Sequence, residues 1–301
     1  MQDKLIRVMT TNKEIRALAV NSTGVINAAQ KAHNTTPVAT AALGRALSAT
    51  LMMGSMVKTG HETGLKIVGD GPLRSIIAEA NHYGEVRGYV GNPNIEFMTN
   101  EEGKLDVAKA IGKGQLSVRK NFGLKEPYEG SVPLISGEIA EDITYYYTKS
   151  EQTPSAVGLG VLIDTDQSVK AAGGFIVQLL PEASEATIEQ LEKNLAQIKS
   201  VSGLIDQGLS PEEILEEILE GFRFRILAER EVSYQCQCSR ERTRNLLVSM
   251  GRKEIQEILE EEGQVEVKCH FCGGVYCYEK EEIDKLFDKV KDINEKRENK
   301  K

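Results

Sequence analysis

Cysteine is absent from the first 235 residues and then occurs five times, at 236, 238, 269, 272 and 277. Cys236-Gln-Cys238 and Cys269-His-Phe-Cys272 form two close pairs about thirty residues apart. Four thiols so arranged suit one tetrahedral ion, and a thiolate-rich, borderline-soft site selects zinc. Residues i and i+2 of an extended segment share a face, so Cys236 and Cys238 can turn toward one ion together. A CxxC on a hairpin turn supplies the other two ligands as a zinc knuckle. The plainer alternative is a set of unconnected thiols, buried as small apolar groups or left at the surface. The double pairing favours the metal, and the sequence predicts Cys236, Cys238, Cys269 and Cys272 as ligands of one Zn2+ per chain.

The elements that must position these ligands are short. Ser239 can cap a helix through Leu246, Leu247 and Met250, ended by Gly251. Arg242 stands where a full capping box would place Glu or Gln, so the box is incomplete. A second helix is expected over Lys253 to Glu262, ended by Gly263. Gln264 to Lys268 and Val275 to Tyr278 read as a hairpin around the CxxC. A last helix follows over Lys280 to Val290, and the charged end, Lys291 to Lys301, is expected to fray. This module has about 65 residues and a thin core. In small zinc peptides the metal supplies roughly 10–16 kcal/mol of folding free energy, enough to decide whether such a unit folds. Cys277 is expected to pack as a small apolar group rather than to ligate. His270 lies inside the CxxC, but four thiolates already satisfy the ion. His33, His61 and His82 are scattered and read as ordinary surface or helix-end residues.

The chain has 301 residues, long enough for two or three domains at ~100–200 residues each. Its formal net charge of −8 argues against a general nucleic-acid binder, which carries a basic footprint. The stretch from Met1 to Arg7 lacks the apolar run of a signal peptide, and no segment approaches the ~20 apolar residues of a membrane span. A cytoplasmic protein is therefore expected, where thiols stay reduced and paired cysteines mean metal or redox chemistry more often than structural disulfides.

Ahead of the cysteines, Leu5 to Met9 and Glu14 to Val20 read as strands, followed by a helix capped at Ser22 or Thr23. Thr36-Pro37 starts a second helix with a cap and an N1 proline. Its continuation, Ala39 to Val57, is apolar almost all round and reads as a helix buried in the fold. A membrane span is the alternative, opposed by Arg45 and by its length. Strands are expected at Leu65 to Val68, Ser75 to Ala80, Glu85 to Val90, Gly114 to Arg119, Ser131 to Leu134, Ala156 to Ile163 and Lys170 to Leu180. A helix around Gly137 to Ser150 interrupts them. Strands and helices mix without regular βαβ alternation, so the fold class is α+β.

From Pro181 the composition changes. Between Glu182 and Gly221 stand ten acidic residues and two basic ones, a net of −8 that equals the excess of the whole chain. Ile188, Leu191, Leu195 and Ile198 recur at helical spacing, as do Ile214, Leu215, Ile218 and Leu219. Ser210-Pro211-Glu212-Glu213 combines a capping box with an N1 proline. Pairs such as Glu212 with Glu216 repel by about a few tenths of a kcal/mol. Helices this short depend on tertiary packing, and the plain reading is a solvated helical linker.

With these residues in view, the sequence resembles the redox-regulated 33-kDa chaperonin family of bacterial holdases. Its tail pattern, CxC and then CxxC about thirty residues later, is met by Cys236, Cys238, Cys269 and Cys272. Ala42-Leu43-Gly44-Arg45, Gly69-Asp70-Gly71-Pro72, Gly84 to Val90, Ser150 to Ser155 and Ala171 to Phe175 add to the likeness, which spans nearly the whole chain. Cys277 falls outside the shared pattern. The resemblance implies an α+β domain over 1–181 that binds clients, an acidic helical linker over 182–232 and a zinc redox switch over 233–301. It implies an ATP-independent holdase for unfolding proteins under oxidative stress and heat. The reduced form is then inactive with zinc on four cysteines. The oxidised form carries the disulfides Cys236–Cys238 and Cys269–Cys272, has released its zinc, and associates as a homodimer.

Two other classes remain open to the residues alone. Arg223, Arg225, Arg230, Arg240, Arg242 and Arg244 flank the CxC and raise a zinc-dependent nucleic-acid binder, but Glu229, Glu231 and Glu241 are interleaved and a solvated mixed-charge face fits better. A thiol oxidoreductase using the CxxC is the other, and it lacks a thioredoxin-like βαβ setting. No P-loop or dinucleotide fingerprint occurs, so no enzyme is expected; Gly69-Asp70-Gly71 and Gly112-Lys113-Gly114 read as turns.

Overall fold

The computed structural model describes residues 2–121 and 127–288. The described residues fall in two compact units, Met1–Gln235 and Cys236–Lys301.

The first unit begins with β1 (Lys4–Thr10), β2 (Ile15–Asn21), α1 (Thr23–His33) and α2 (Pro37–Ser55). Then come β3 (Glu62–Gly69), β4 (Ser75–Asn81), β5 (Glu85–Val90), α3 (Val107–Ile111), β6 (Gly114–Asn121) and β7 (Tyr128–Pro133). After α4 (Ala140–Lys149) follow β8 (Ser155–Ile163) and β9 (Val169–Leu179). The acidic stretch forms α5 (Glu185–Leu195), α6 (Val201–Asp206) and α7 (Pro211–Ile218), and the unit closes with β10 (Phe224–Glu231) and β11 (Ser233–Tyr234). One sheet has the order β10-β1-β2-β9-β8 and the other β11-β5-β4-β3-β6-β7. Neighbouring strands are antiparallel, except that β11 runs parallel to β5.

Helix α2 lies between the two sheets, against β3, β4 and β5 on one side and β2, β8 and β9 on the other. Every residue of it except Pro37 and Arg45 is buried, as its unbroken apolar run predicts. The hydroxyls of Ser48, Thr50 and Ser55 donate to carbonyls of the helix itself, which satisfies them in the core. Gly54 lets the helix approach the second sheet closely, since a Cβ there would stand 2.9 Å from that of Ala80. Arg45 leaves the core to pair with Glu138. Helix α1 starts at Ser22 as expected, but its first amides donate to the Asp3 carboxylate, Gly24 at 2.9 Å and Val25 at 2.6 Å.

The strands of the first sheet alternate cleanly. Leu5, Leu18 and Val20 face the α2 core, whereas Ile6, Val8, Ile15 and Ala17 face outward. That outer face is covered by Leu191 of α5, Ile205 of α6, and Ile214, Leu215 and Ile218 of α7. The capping box at Ser210 is formed with Glu213. The stretch 182–232, expected as wholly helical, thus packs within the first unit and ends in strand β10, which pairs with β1 at the sheet edge. Four of the eight residues of β10 are arginine or glutamate and five are exposed, so no apolar alternation marks it in the sequence.

The second unit contains α8 (Arg240–Met250), α9 (Arg252–Glu262), β12 (Val265–Lys268) and β13 (Val275–Tyr278), then a helical stretch over 280–288. The end of the expected last helix and the charged terminus lie outside the described residues. Among the described residues its buried apolar core is six side chains, Leu247, Ile255, Val265, Tyr278, Ile283 and Phe287.

Candidate metal centre

The two cysteine pairs come from two different local structures. Residues 236–239 have no regular structure, and Ser239 then caps α8 by accepting the Arg242 amide at 3.2 Å. Cys269 and Cys272 sit on the turn joining β12 to β13. There the Cys269 amide donates to Gly274 and the Gly273 amide to the Cys269 carbonyl, both at 2.8 Å. Gly273 closes that turn with φ +71°, a region that suits glycine.

The fold brings the four sulfurs together. Cys236 Sγ lies 3.6 Å from Cys269 Sγ, and Cys238 Sγ lies 3.3 Å from Cys272 Sγ. All four are half-buried and within 4.8 Å of one another. A tetrahedral ion with metal–sulfur bonds of ~2.3 Å would hold its ligands about 3.8 Å apart, so this cluster fits a metal ion of zinc's geometry. In such a tetrahedron each sulfur neighbours every other, and the two close contacts favour no particular disulfide pairing.

Proton affinities within the cluster are uneven. Burial, then the crowding of neighbouring thiols, pushes Cys272 up to about 12, and burial also raises Cys236. Burial acts upward on Cys238 too, but the Tyr276 hydroxyl, donating at 3.1 Å, and the adjacent thiols bring it down to about 7. The same hydrogen bond, followed by burial, raises Tyr276 to about 12. Cys238 thus forms a thiolate readily while Cys236 and Cys272 resist one, an imbalance that a bound dication would remove.

Tyr276 was not among the residues singled out from the sequence. Strand alternation beside the CxxC is the signal that reveals it: Tyr276 and Tyr278 turn inward, while Val275 and Cys277 turn out. The same alternation corrects the expectation for Cys277. It is exposed rather than packed as a small apolar group, and it lies outside the sulfur cluster. His270 is also outside the cluster. Elsewhere His33 Nε2 meets the Tyr234 hydroxyl at 2.8 Å and His82 Nδ1 meets the Val57 carbonyl at 2.7 Å, so both are built into the fold and not merely superficial.

The arginines beside the CxC are engaged locally. Arg240 and Arg244 both pair with Glu282, at 2.7 and 2.5 Å, and hold its carboxyl down at about 2. Arg242 donates to the Gln237 carbonyl at 2.9 Å. Arg240 also stacks over the Tyr278 ring, 4.6 Å from its centroid.

An α+β unit with one helix between two sheets, followed by a small unit with a four-thiol cluster, defines the class. The family model described as "Hsp33 protein" matches residues 3–279. A "33 kDa chaperonin" of Geobacillus sp. (strain WCH70) is 49% identical over 287 residues, covering 95% of this chain and 97% of the relative. That of Bacillus subtilis (strain 168) is 46% identical over 289 residues, covering 96% and 99%. The crystal structure of the 33 kDa chaperonin (heat shock protein 33 homolog) from Thermotoga maritima superposes with a TM-score of 0.90 at 37% identity, covering 97% of this chain and all of that one. This chain belongs to the Hsp33 family.

Proposed function

We propose that the chain is a redox-regulated, ATP-independent holdase, switched by Cys236, Cys238, Cys269 and Cys272. The observation that carries this reading is the convergence of those four sulfurs within 4.8 Å. Family membership and the chaperonin relatives support it. Zinc, when bound, supplies a positive charge that keeps all four sulfurs as thiolates and folding free energy to a unit with a six-residue core.

Under peroxide, Cys236 joins Cys238 and Cys269 joins Cys272. Each pair gives up two electrons, and each peroxide is reduced to two waters. Disulfide sulfurs carry no negative charge and no longer hold a cation, so the second unit loses its order. Segment 1–181 is the client-binding part, 182–232 the linker and 233–301 the switch. Clients are unfolding proteins that meet apolar surface such as the outer face of the first sheet and the undersides of α5 and α7. Activation is accompanied by homodimerisation. The protein acts in the cytoplasm, without catalytic turnover, and its partners are neither membranes nor nucleic acid.

The test is peroxide treatment at raised temperature. One zinc per chain should appear in a chelator assay, and light scattering should show suppressed aggregation of a heat-denatured enzyme. Peptide mapping should recover the two proposed disulfides. Retained zinc with unchanged holdase activity would sink the reading, and cross-pair disulfides would correct the pairing alone.

A further inference from the structure

The first unit contains a cavity of about 600 Å³ where α2 ends between the sheets. Met53, Met56 and Val57 from the end of that helix form an apolar wall. Facing groups come from both sheets and from α4: Arg16 on β2, Lys120 on β6, Tyr147 on α4 and Glu151 just after it. The volume lies within the ~300–1,000 Å³ typical of small-molecule sites, which are apolar with a few convergent polar groups.

The charges around this cavity do not balance. Glu151 is taken up internally, since it pairs with Lys120 and accepts the Tyr146 hydroxyl at 2.7 Å. Arg16 donates from Nε and Nη2 to the Gln178 side-chain oxygen at 3.1 and 2.6 Å, a neutral acceptor that leaves its charge uncompensated. Lys58, exposed at the rim, has no acidic partner among the described residues. With Arg16, Lys58 and Lys120 positive and Glu151 negative, the lining carries a formal +2 within a chain of net −8.

A second observation is independent of charge. Tyr147 is 2% exposed, and its hydroxyl has no hydrogen-bond partner among the described residues. A buried hydroxyl without a partner is destabilising and calls for an explanation, an absent ligand being one. Burial and the nearby Glu151 charge push the Tyr147 pKa up, against the opposing effect of Arg16, so the group stays protonated and can donate.

We propose that this cavity binds a small amphipathic carboxylate of the medium-chain fatty-acid class, its head near Arg16 and Tyr147 and its chain against Met53, Met56 and Val57. Inorganic phosphate would satisfy the cation but leave the methionine wall unmatched. An uncharged alcohol would do the reverse. The site is independent of the cysteine cluster and of the holdase reading.

The test is calorimetric titration of the reduced, metal-loaded full chain with decanoate below its micelle concentration. Methyl NMR of Met53 and Met56 reports the location. Decanoate should saturate at one per chain and shift both methyls, with decanol, acetate and phosphate at least tenfold weaker. Arg16→Gln and Tyr147→Phe should each weaken decanoate at least tenfold. Tyr147→Phe should leave the melting temperature unchanged or higher, because it deletes an unpartnered hydroxyl, and it keeps the proposal testable if Arg16→Gln fails to fold. Absence of saturable decanoate binding would overturn it. So would equal binding of decanol, acetate or phosphate, or wild-type affinity in Tyr147→Phe.

Discussion

Helix α2 of the first unit and helices α8 and α9 of the second are held in different ways. Between its two sheets, α2 buries every residue except Pro37 and Arg45. Helices α8 and α9 contribute three buried residues between them, Thr243, Leu247 and Ile255. Apolar burial at roughly 25 cal/mol per Å² can hold the first in place without help. The second unit has six buried apolar side chains among its described residues, and under the proposed function a metal on the four sulfurs would supply the rest. Stability that rests on distributed packing is insensitive to redox state. Stability concentrated in four metal-bound thiolates, as proposed for the second unit, would be lost on their oxidation.

The largest expected effect tests that contrast directly. Replacing all four clustered cysteines by alanine removes a contribution on the order of 10 kcal/mol from the second unit alone. Hydrogen exchange should then show α8 and α9 exchanging freely while α2 stays protected. Equal protection of both would break the comparison. Next comes Leu51→Ala in α2, where a side chain with no exposure leaves a cavity. It should cost about 2–5 kcal/mol in urea unfolding of the first unit, with zinc content unaltered.

Smaller effects sharpen the picture. Tyr278→Phe removes a hydroxyl that contacts Thr243 and donates to the Arg240 carbonyl at 3.0 Å, and should cost the second unit about 1–2 kcal/mol. Circular dichroism melts of the metal-loaded chain would measure it. Glu282 gives the least. Arg240 and Arg244 hold its carboxyl at about 2, below the ordinary 4.5, so its contribution is present above 4.5 and disappears as pH falls toward 2. Because the ion pair is solvent-exposed, Glu282→Gln should cost less than about 1 kcal/mol at pH 7 and less still in high salt. A loss that is undiminished by salt would mean that Glu282 acts through packing.

The candidate site was readable to an unusual degree because its chemistry is carried by spacing. CxC and CxxC single out the four thiols that converge, Ser239 and Gly263 mark the ends of their helices, and Ser210-Pro211 fixes the start of α7. Helix α2 was equally plain, since an apolar run with an N1 proline has few other readings. Tyr276 and the outward turn of Cys277 needed only the alternation of β13. Helices α3 and α6 are too short to leave a period, and β10 shows charged residues in place of an apolar face.

The sequence by itself determined the four thiols, the buried helix and the acidic amphipathic segments, because each is a pattern within about twenty residues or a spacing of rare side chains. Tertiary structure alone decided that β10 closes the first sheet beside β1, that α5, α6 and α7 cover that sheet's outer face, and that Arg16 and Tyr147 meet at the end of α2. Those placements depend on pairings between distant parts of the chain, whose register is fixed by the shared core and leaves no local periodicity to read.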